Sequence, residues 1–365
     1  MRFLRSVGKT CYASVYNVTR TVGRRGAPSG APFIICYHRV VEDFEESAKT
    51  AIPSMLVSAR MLERHIDWLA RRFSIVSLDD VGRHLESGHS ARKPIAAITF
   101  DDGYADVFHH GFPLLKRKGI PAAVFVVTDL AGTGRPQIFD RLYLSLRLAG
   151  SRGLPLRETV NAAIRAAGVE GAGVSAAPAA GDEAFRVMTV LLNRFPGESV
   201  ERIMAELSGG SAMEKALEES GPLTWEMIET MHKSGITIGS HTKSHTLLTS
   251  ESLAEAASQL TGSKQTIESR LRAPVRHFAY PDGRFNPLVV QAVRSAGYQF
   301  AYGICRQRDP GFPLLTISRK VLWERASLNL WGGFSSSIMN CHAHGAFDPE
   351  DRCEHDHSSS EPGEN

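Results

Sequence analysis

From Phe33 onward, short apolar runs alternate with amphipathic stretches. The runs cover residues 33–37, 95–100, 122–127, 236–240, 276–280 and 299–302. Most are apolar at every position, the pattern of strands covered on both faces of a parallel sheet. Between them lie helix signals. Ser58 is positioned to cap a helix carrying Met61, Leu62, Trp68 and Leu69, and Thr224 to cap one over 225–233 that Gly235 stops. Ser252 and Glu255 have the spacing of a capping box. Asn286-Pro287 reads as a cap followed by proline at the first helical position, with Gly297 at the far end. Strand–helix alternation over this length predicts an α/β fold, either a (β/α) barrel or a doubly wound sheet.

One stretch breaks the rhythm. Roughly a hundred residues separate the runs ending at Val127 and starting at Ile236, far more than a βα connection needs. Helical pattern over 139–148 marks it as a helical insertion at about 129–222, either a rim over a site or a passive elaboration. Residues 161–180 are rich in Ala and Gly and predict loose packing. A Gly/Pro linker at 26–32 separates a leader, 1–31, from the main domain, 32–335. The polar, Ser- and His-rich end, 336–365, is expected to be a disordered tail. It holds Cys341, His342, His344, Cys353, His355 and His357, whose spacing fits no zinc finger.

Composition narrows the function. The 365 residues are 42% hydrophobic and 22% charged, as in an ordinary globular protein. A net charge of +3 gives nucleic acid no field to follow, so no nucleic-acid partner is expected. Five cysteines without a C-x-x-C argue against a disulfide framework. No apolar stretch is long enough to span a bilayer. Residues 1–30 hold Arg2, Arg5, Lys9, Arg20, Arg24 and Arg25 and no acid, with Leu4, Val7, Cys11 and Val15 at helical spacing. This reads as a solvated basic leader or as an amphipathic helix on an anionic membrane surface. It lacks a continuous apolar h-region, so the expected location is the cytoplasm or its membrane face.

The chemistry concentrates where strands end. Ile98-Thr99-Phe100 runs straight into Asp101-Asp102-Gly103-Tyr104. Two adjacent carboxylates repel, and burying either unpaired is costly; a cation is the usual relief. Another strand ends in His241-Thr242-Lys243-Ser244-His245, and histidines at i and i+4 can offer two imidazoles to one ion. Two His and one carboxylate leave a metal position open for water, the ligand set of a catalytic zinc. Further strand ends carry Tyr37-His38-Arg39 and Phe278-Ala279-Tyr280-Pro281-Asp282-Gly283. Reactive groups at several C-terminal strand ends suit the functional face of a parallel barrel.

At these residues the chain resembles the polysaccharide deacetylase family (carbohydrate esterase family four, the NodB homology domain). Residues 99–104 match its first motif and 241–245 its H-[ST]-x-x-H second motif. Residues 278–283 are similar to the third motif in the form found in poly-N-acetylglucosamine deacetylases, and 37–40 to the opening strand of that branch. The resemblance spans about 32–323. It implies an irregular TIM-like (β/α) barrel and metal-dependent removal of N-acetyl groups from an amino-sugar polymer. It implies Asp102, His241 and His245 as ligands of a divalent ion, with Zn2+ first among the candidates, and Asp101 as general base. It implies an oxyanion donor at the backbone near Tyr280, although the order here is Tyr-Pro rather than the commoner Pro-Tyr. The Leu-x-His motif that supplies the general acid in much of the family is not evident, so His38 is assigned that role. Arg319 is a candidate partner for Asp101. Two rivals remain. A glycoside hydrolase needs carboxylates ~5–9.5 Å apart across a bond and would leave the histidines idle. A non-catalytic sugar-binding protein would have a closed, four-ligand structural metal.

Overall fold

In the computed structural model all six apolar runs are strands of one nine-stranded parallel sheet, curved into a nearly closed barrel. The structure describes residues 9–10, 12–13, 16, 31–88, 92–151, 153–171, 173–174, 182–207, 221–304 and 308–347. The runs are β1 (Phe33–Tyr37), β5 (Ile95–Phe100), β6 (Ala123–Val126), β7 (Thr237–Ser240), β8 (His277–Ala279) and β9 (Phe300–Gly303). Shorter strands escape the sequence pattern: β2 (Arg39–Val41), β3 (Leu56–Ser58), β4 (Ser74–Ile75), β10 (Ile317–Ser318) and β11 (Lys320–Val321). Two or three residues are too few to display a period.

Spatial order runs β10-β9-β8-β7-β6-β5-β1-β11, with β4 beside the start of β5 and β2–β3 forming a separate pair. The two ends of this path, β10 and β11, are neighbours in sequence, separated only by Arg319. One extended segment therefore pairs with β9 through Ile317 and Ser318, then with β1 through Lys320 and Val321. The seam of the barrel lies at Arg319. Because all pairings are parallel, the C-terminal ends of β1, β5, β7, β8 and β9 open on one face.

Inward-facing positions are small or filled by rings. Ala97, Ala123, Ala279, Phe125 and Tyr302 pack together inside. Gly239 is needed there, since a Cβ would stand 2.5 Å from the Phe125 ring. Outward-facing residues such as Ile35, Ile98, Val124, Ile238 and Phe278 join the helices in the largest core. The expected caps form: Ser58, Thr224 and Asn286 accept from the backbone N–H of Met61, Met227 and Val289. Ser252 likewise accepts from Glu255 N–H, but the Glu255 carboxylate accepts from the Gln259 amide.

The insertion is helical, as Ile138–Gly150, Leu156–Ala166, Glu183–Arg194 and Gly197–Leu207. It has its own core of Leu142, Leu146, Val160, Ile164, Leu191 and Ile203. The loose packing expected from residue 161 is corrected where the chain is described. Ala163 and Ile164 are buried, and Asn161 Oδ1 accepts from Val174 N–H at 2.7 Å.

The tail expectation is corrected at its start. Ser336–Ala343 is a helix with Ile338, Met339, Cys341 and His342 buried. His342 Nε2 donates to the Ala326 carbonyl at 3.0 Å. Residues 348–365, with Cys353, His355 and His357, lie outside the described residues. Leader residues 9, 10, 12, 13 and 16 are helical, and Ala13 packs on Ile338 and Cys341. Leu4, Val7, Cys11 and Val15 lie outside the described residues. No helix among the described residues is long and apolar enough to cross a membrane. Cys36 and Cys341 are free, buried thiols.

Outside the barrel, His65 ties β1 to the C-terminal segment. Its Nδ1 meets Tyr37 Oη and its Nε2 meets Ser327 Oγ, both at 2.8 Å. Burial lowers the His65 imidazole to about 3. The unfolded chain then binds the extra proton between about pH 6.5 and 3, so this residue removes stability as pH falls through that window. Urea unfolding of wild type should lose about 1.4 kcal/mol more per pH unit there than His65→Gln. Equal slopes for the two proteins would contradict a buried neutral imidazole.

Candidate active site

Asp101 and Asp102 follow β5 directly, both are buried, and they meet opposite environments. Arg319 Nη1 and Nη2 donate to the two Asp101 oxygens at 2.7 Å each, a bidentate pair closed inside the barrel seam. Arg319 also donates to Thr99 Oγ1 at 3.1 Å and lies 5.2 Å from the Phe125 ring centre. Cys36 Sγ donates to Asp101 Oδ2 at 3.3 Å. Burial pushes the Asp101 carboxyl up, but the Arg319 guanidinium outweighs it and holds the group below the usual carboxylate range. Each carboxylate oxygen has two lone pairs. Oδ2 has two donors and Oδ1 one, so Oδ1 is the atom left to accept from a water.

Asp102 turns the other way. Its φ is 70° and that of Gly103 is 69°, two consecutive left-handed residues that swing the carboxylate across to the loop after β7. There His241 Nε2 and His245 Nε2 stand 3.4 and 3.2 Å from Asp102 Oδ1. The three ligand-capable atoms lie within 4.8 Å of one another. His241 Nδ1 is 2.8 Å from the Ala279 carbonyl, which can only accept, so Nδ1 carries a proton and, in the neutral ring, Nε2 presents a lone pair. Asp102 Oδ1 is buried with no hydrogen-bond partner. A carboxylate oxygen and an imidazole lone pair facing each other in a buried site repel unless a cation stands between them. The donor set therefore fits a divalent metal ion. Burial raises the Asp102 carboxyl, and the two facing imidazoles bring it well below the ordinary range. For His245, burial lowers the imidazole and Asp102 raises it, with a net rise.

The second loop is strained and braced. Thr242 and His245 have φ of 67° and 59°. Such residues cost ~1–3 kcal/mol each and persist only where the surroundings over-determine them. Gln259 Oε1 accepts from Lys243 N–H and Ser244 N–H at 3.0 and 3.1 Å, and the Lys243 carbonyl accepts from Asp129 N–H at 2.8 Å. Gln259 went unnoticed in the sequence. Its signal was a polar residue on the buried Ala256-Leu260-Ser263-Ile267 face of helix Leu253–Leu271.

His38 follows β1, and a ring nitrogen lies within 4.8 Å of Asp101 and Cys36 ligand atoms. Its Nδ1 is buried without a partner. The Cys36–His38–Asp101 group is a poor metal site, because Arg319 already neutralises the carboxylate and burial raises the thiol well above its ordinary range.

Tyr280 is corrected. Its N–H donates to the Tyr302 carbonyl at 3.0 Å as part of the β8–β9 pairing, and its hydroxyl donates to the Leu315 carbonyl at 2.8 Å. The residue is 1% exposed. Neither group is free to meet an oxyanion.

A family model for polysaccharide deacetylases matches residues 88–154 and 196–301, which include both metal loops. The chain belongs to the polysaccharide deacetylase family. The gap in the match holds the insertion's two middle helices, Leu156–Ala166 and Glu183–Arg194. YxkH of Bacillus subtilis (strain 168) is 28% identical over 80 residues, covering 22% of this chain and 29% of that protein, so the chain spans less than a third of this curated relative. Two solved structures share the fold at low identity. IcaB from Ammonifex degensii aligns with a TM-score of 0.53 at 16% identity, over 87% of this chain and 98% of that one. The deacetylase PplD of Streptococcus pyogenes, solved in complex with acetate, aligns with a TM-score of 0.52 at 17% identity, over 84% and 97%.

Removing one partner of the buried Asp101–Arg319 pair leaves a bare charge, at a cost of about 3–5 kcal/mol. Arg319→Met should destabilise by that amount in urea unfolding, and adding Asp101→Asn should restore part of the loss. A loss under about 1 kcal/mol would show that the pair is not desolvated.

Proposed function

We propose that this chain hydrolyses N-acetyl groups from an amino-sugar oligo- or polysaccharide, releasing acetate and a free amine, at a site built around a divalent ion. The observation that carries this is the convergence of Asp102, His241 and His245 beside an independently neutralised Asp101. Two imidazoles and a carboxylate suit Zn2+. When bound, such an ion supplies Lewis acidity, polarising an amide carbonyl and making a water more acidic.

The protein's own residues do the rest. Asp101 Oδ1 accepts the proton of the attacking water as its oxygen bonds to the acetyl carbon. Arg319 keeps Asp101 ionised and fixes its plane. His38 gives a proton to the nitrogen as the C–N bond breaks, so the leaving group departs as a neutral amine. His241 is held by Ala279 in the tautomer that ligates through Nε2. The acetate in the PplD structure is the product such a reaction releases, which supports the reading. An N-acetylated exopolysaccharide or chitin oligosaccharide is the proposed substrate class. Contact of the basic leader with an anionic membrane surface belongs to the same proposal, on the strength of six cations and no acid in residues 1–30.

Acetate release from N-acetylated chito-oligosaccharide and from poly-N-acetylglucosamine tests the assignment. Asp101→Asn should lower kcat by about 10²–10⁴-fold while bound metal remains stoichiometric. His241→Ala should lose the metal and, with it, turnover. Activity surviving Asp101→Asn would remove Asp101 as base. Stoichiometric metal in His241→Ala would remove that histidine from the ligand set. Reducing ends released in place of acetate would favour glycoside hydrolysis.

A further inference from the structure

The insertion reaches both candidate metal loops, through Asp140, which is buried but apart from its apolar core, and through Phe139 at that core's edge. Tyr104, two residues after Asp102, donates its hydroxyl to Asp140 Oδ2 at 2.6 Å. Asp140 lies in the insertion's first helix and is 5% exposed. The Tyr104 ring is held on another side by the Arg39 guanidinium, 5.0 Å from its centre, and Arg39 is fixed by Asp106 at 2.7 Å. The chain returning from the insertion grips the same loop. Leu223 N–H donates to the Gly103 carbonyl at 2.8 Å, Ala105 N–H donates to the Gly221 carbonyl at 3.0 Å, and Tyr104 bridges Pro222. On the second loop, Phe139 sets its ring against the His245 ring, edge to face, with centres 5.3 Å apart.

These contacts bracket the least relaxed backbone in the site. Asp102 and Gly103 are both left-handed, and a non-glycine there is stable only if its neighbours fix it. Tyr104 is the next residue, and it is anchored through ring, hydroxyl and backbone at once. Without that anchor, Asp102 can relax to ordinary φ and swing its carboxylate away from His241 and His245.

We propose that the insertion is a positioning element of the metal site, acting on Asp102 through the Asp140–Tyr104 hydrogen bond and on His245 through Phe139. The inference rests on the metal-site reading above and deepens it. Tyr104, Asp140 and Phe139 are positioning residues, since they act through the ligands.

Zinc titrated calorimetrically into the chelator-treated full chain tests this, with the unfolding midpoint of each metal-free variant recorded alongside. Outer partners of metal ligands typically alter affinity by about 10–100-fold. Tyr104→Phe, which removes one oxygen, and Asp140→Leu should each raise the zinc Kd within that range. Asp140→Asn, which still accepts from Tyr104, should stay within about threefold of wild type, and the Tyr104→Phe/Asp140→Leu double variant should be no weaker than the worse single. Phe139→Leu should also weaken zinc. A merely structural role would lower the midpoint and leave Kd of the folded protein unchanged. That result in Tyr104→Phe overturns the proposal, and if Asp140→Leu does not fold, Tyr104→Phe against Asp140→Asn decides alone. Wild type that binds no zinc, cobalt or nickel would overturn the metal reading and this inference with it.

Discussion

The buried ion pair between Arg319 and Asp101 is the constraint on which the site depends. Desolvating two charges is expensive, and well-packed apolar residues of similar volume would often be at least as stable. The pair is therefore poorly explained as a stabilising device. Its position explains it better. Arg319 is the single residue between β10 and β11, at the seam where one chain segment leaves β9 and joins β1. The barrel interior around it is lined by small side chains and the rings of Phe125 and Tyr302, so the guanidinium enters without a void. Closing the barrel and fixing Asp101 as a carboxylate are thus one structural event.

That event also solves the problem posed by Asp101-Asp102. Side by side, two carboxylates destabilise each other's ionised forms. Successive residues of an extended chain point to opposite sides, and the left-handed turn at Asp102 adds a further rotation. Asp101 faces the guanidinium inside the barrel, while Asp102 faces the histidines across the mouth. Strain collects at the same places: Asp102, Thr242 and His245 are three of the five described non-glycine residues with positive φ. The bracing by Gln259, Asp129, Tyr104 and Asp140 falls on these loops, where over-determination is needed.

Much of this was legible in the chain. All six apolar runs are strands within a residue or two of the expected limits, because buried parallel strands are continuous in hydrophobicity. The grouping of Asp102, His241 and His245 was legible because strand ends and i, i+4 spacing are local signals. What escaped was non-local. The amide of Tyr280 resembles a free donor in a motif, but strand pairing with Tyr302 takes it, and pairing cannot be read from one strand. Arg319 was legible as a candidate partner for Asp101, and the two do pair, but its burial was not, because it stands among two-residue strands without a period. The helix Ser336–Ala343 was hidden by the polar composition around it, because a short helix docked on a domain needs only Ile338, Met339 and Cys341 as its buried face. Asp140 and Gln259 sit on helices whose buried faces are mostly apolar, with Ser145 and Ser263 the other buried polar side chains. A polar residue in such a stripe is the one sequence signal that could have found them.

The charge distribution carries the argument one step further. With Asp101 neutralised by Arg319 and Cys36 held as a thiol, Asp102 is the carboxylate that faces His241 and His245. A divalent ion held by Asp102, His241 and His245 would meet one carboxylate there and would leave an excess of one positive charge, since Arg319 already pairs with Asp101. On the proposed reading, such an excess would favour the tetrahedral state, whose oxygen gains negative charge, over the neutral ground state in a low-dielectric site. On that reading the Asp101–Arg319 pair would serve twice: it would keep Asp101 ionised as base, and it would prevent that carboxylate from cancelling the charge the transition state needs.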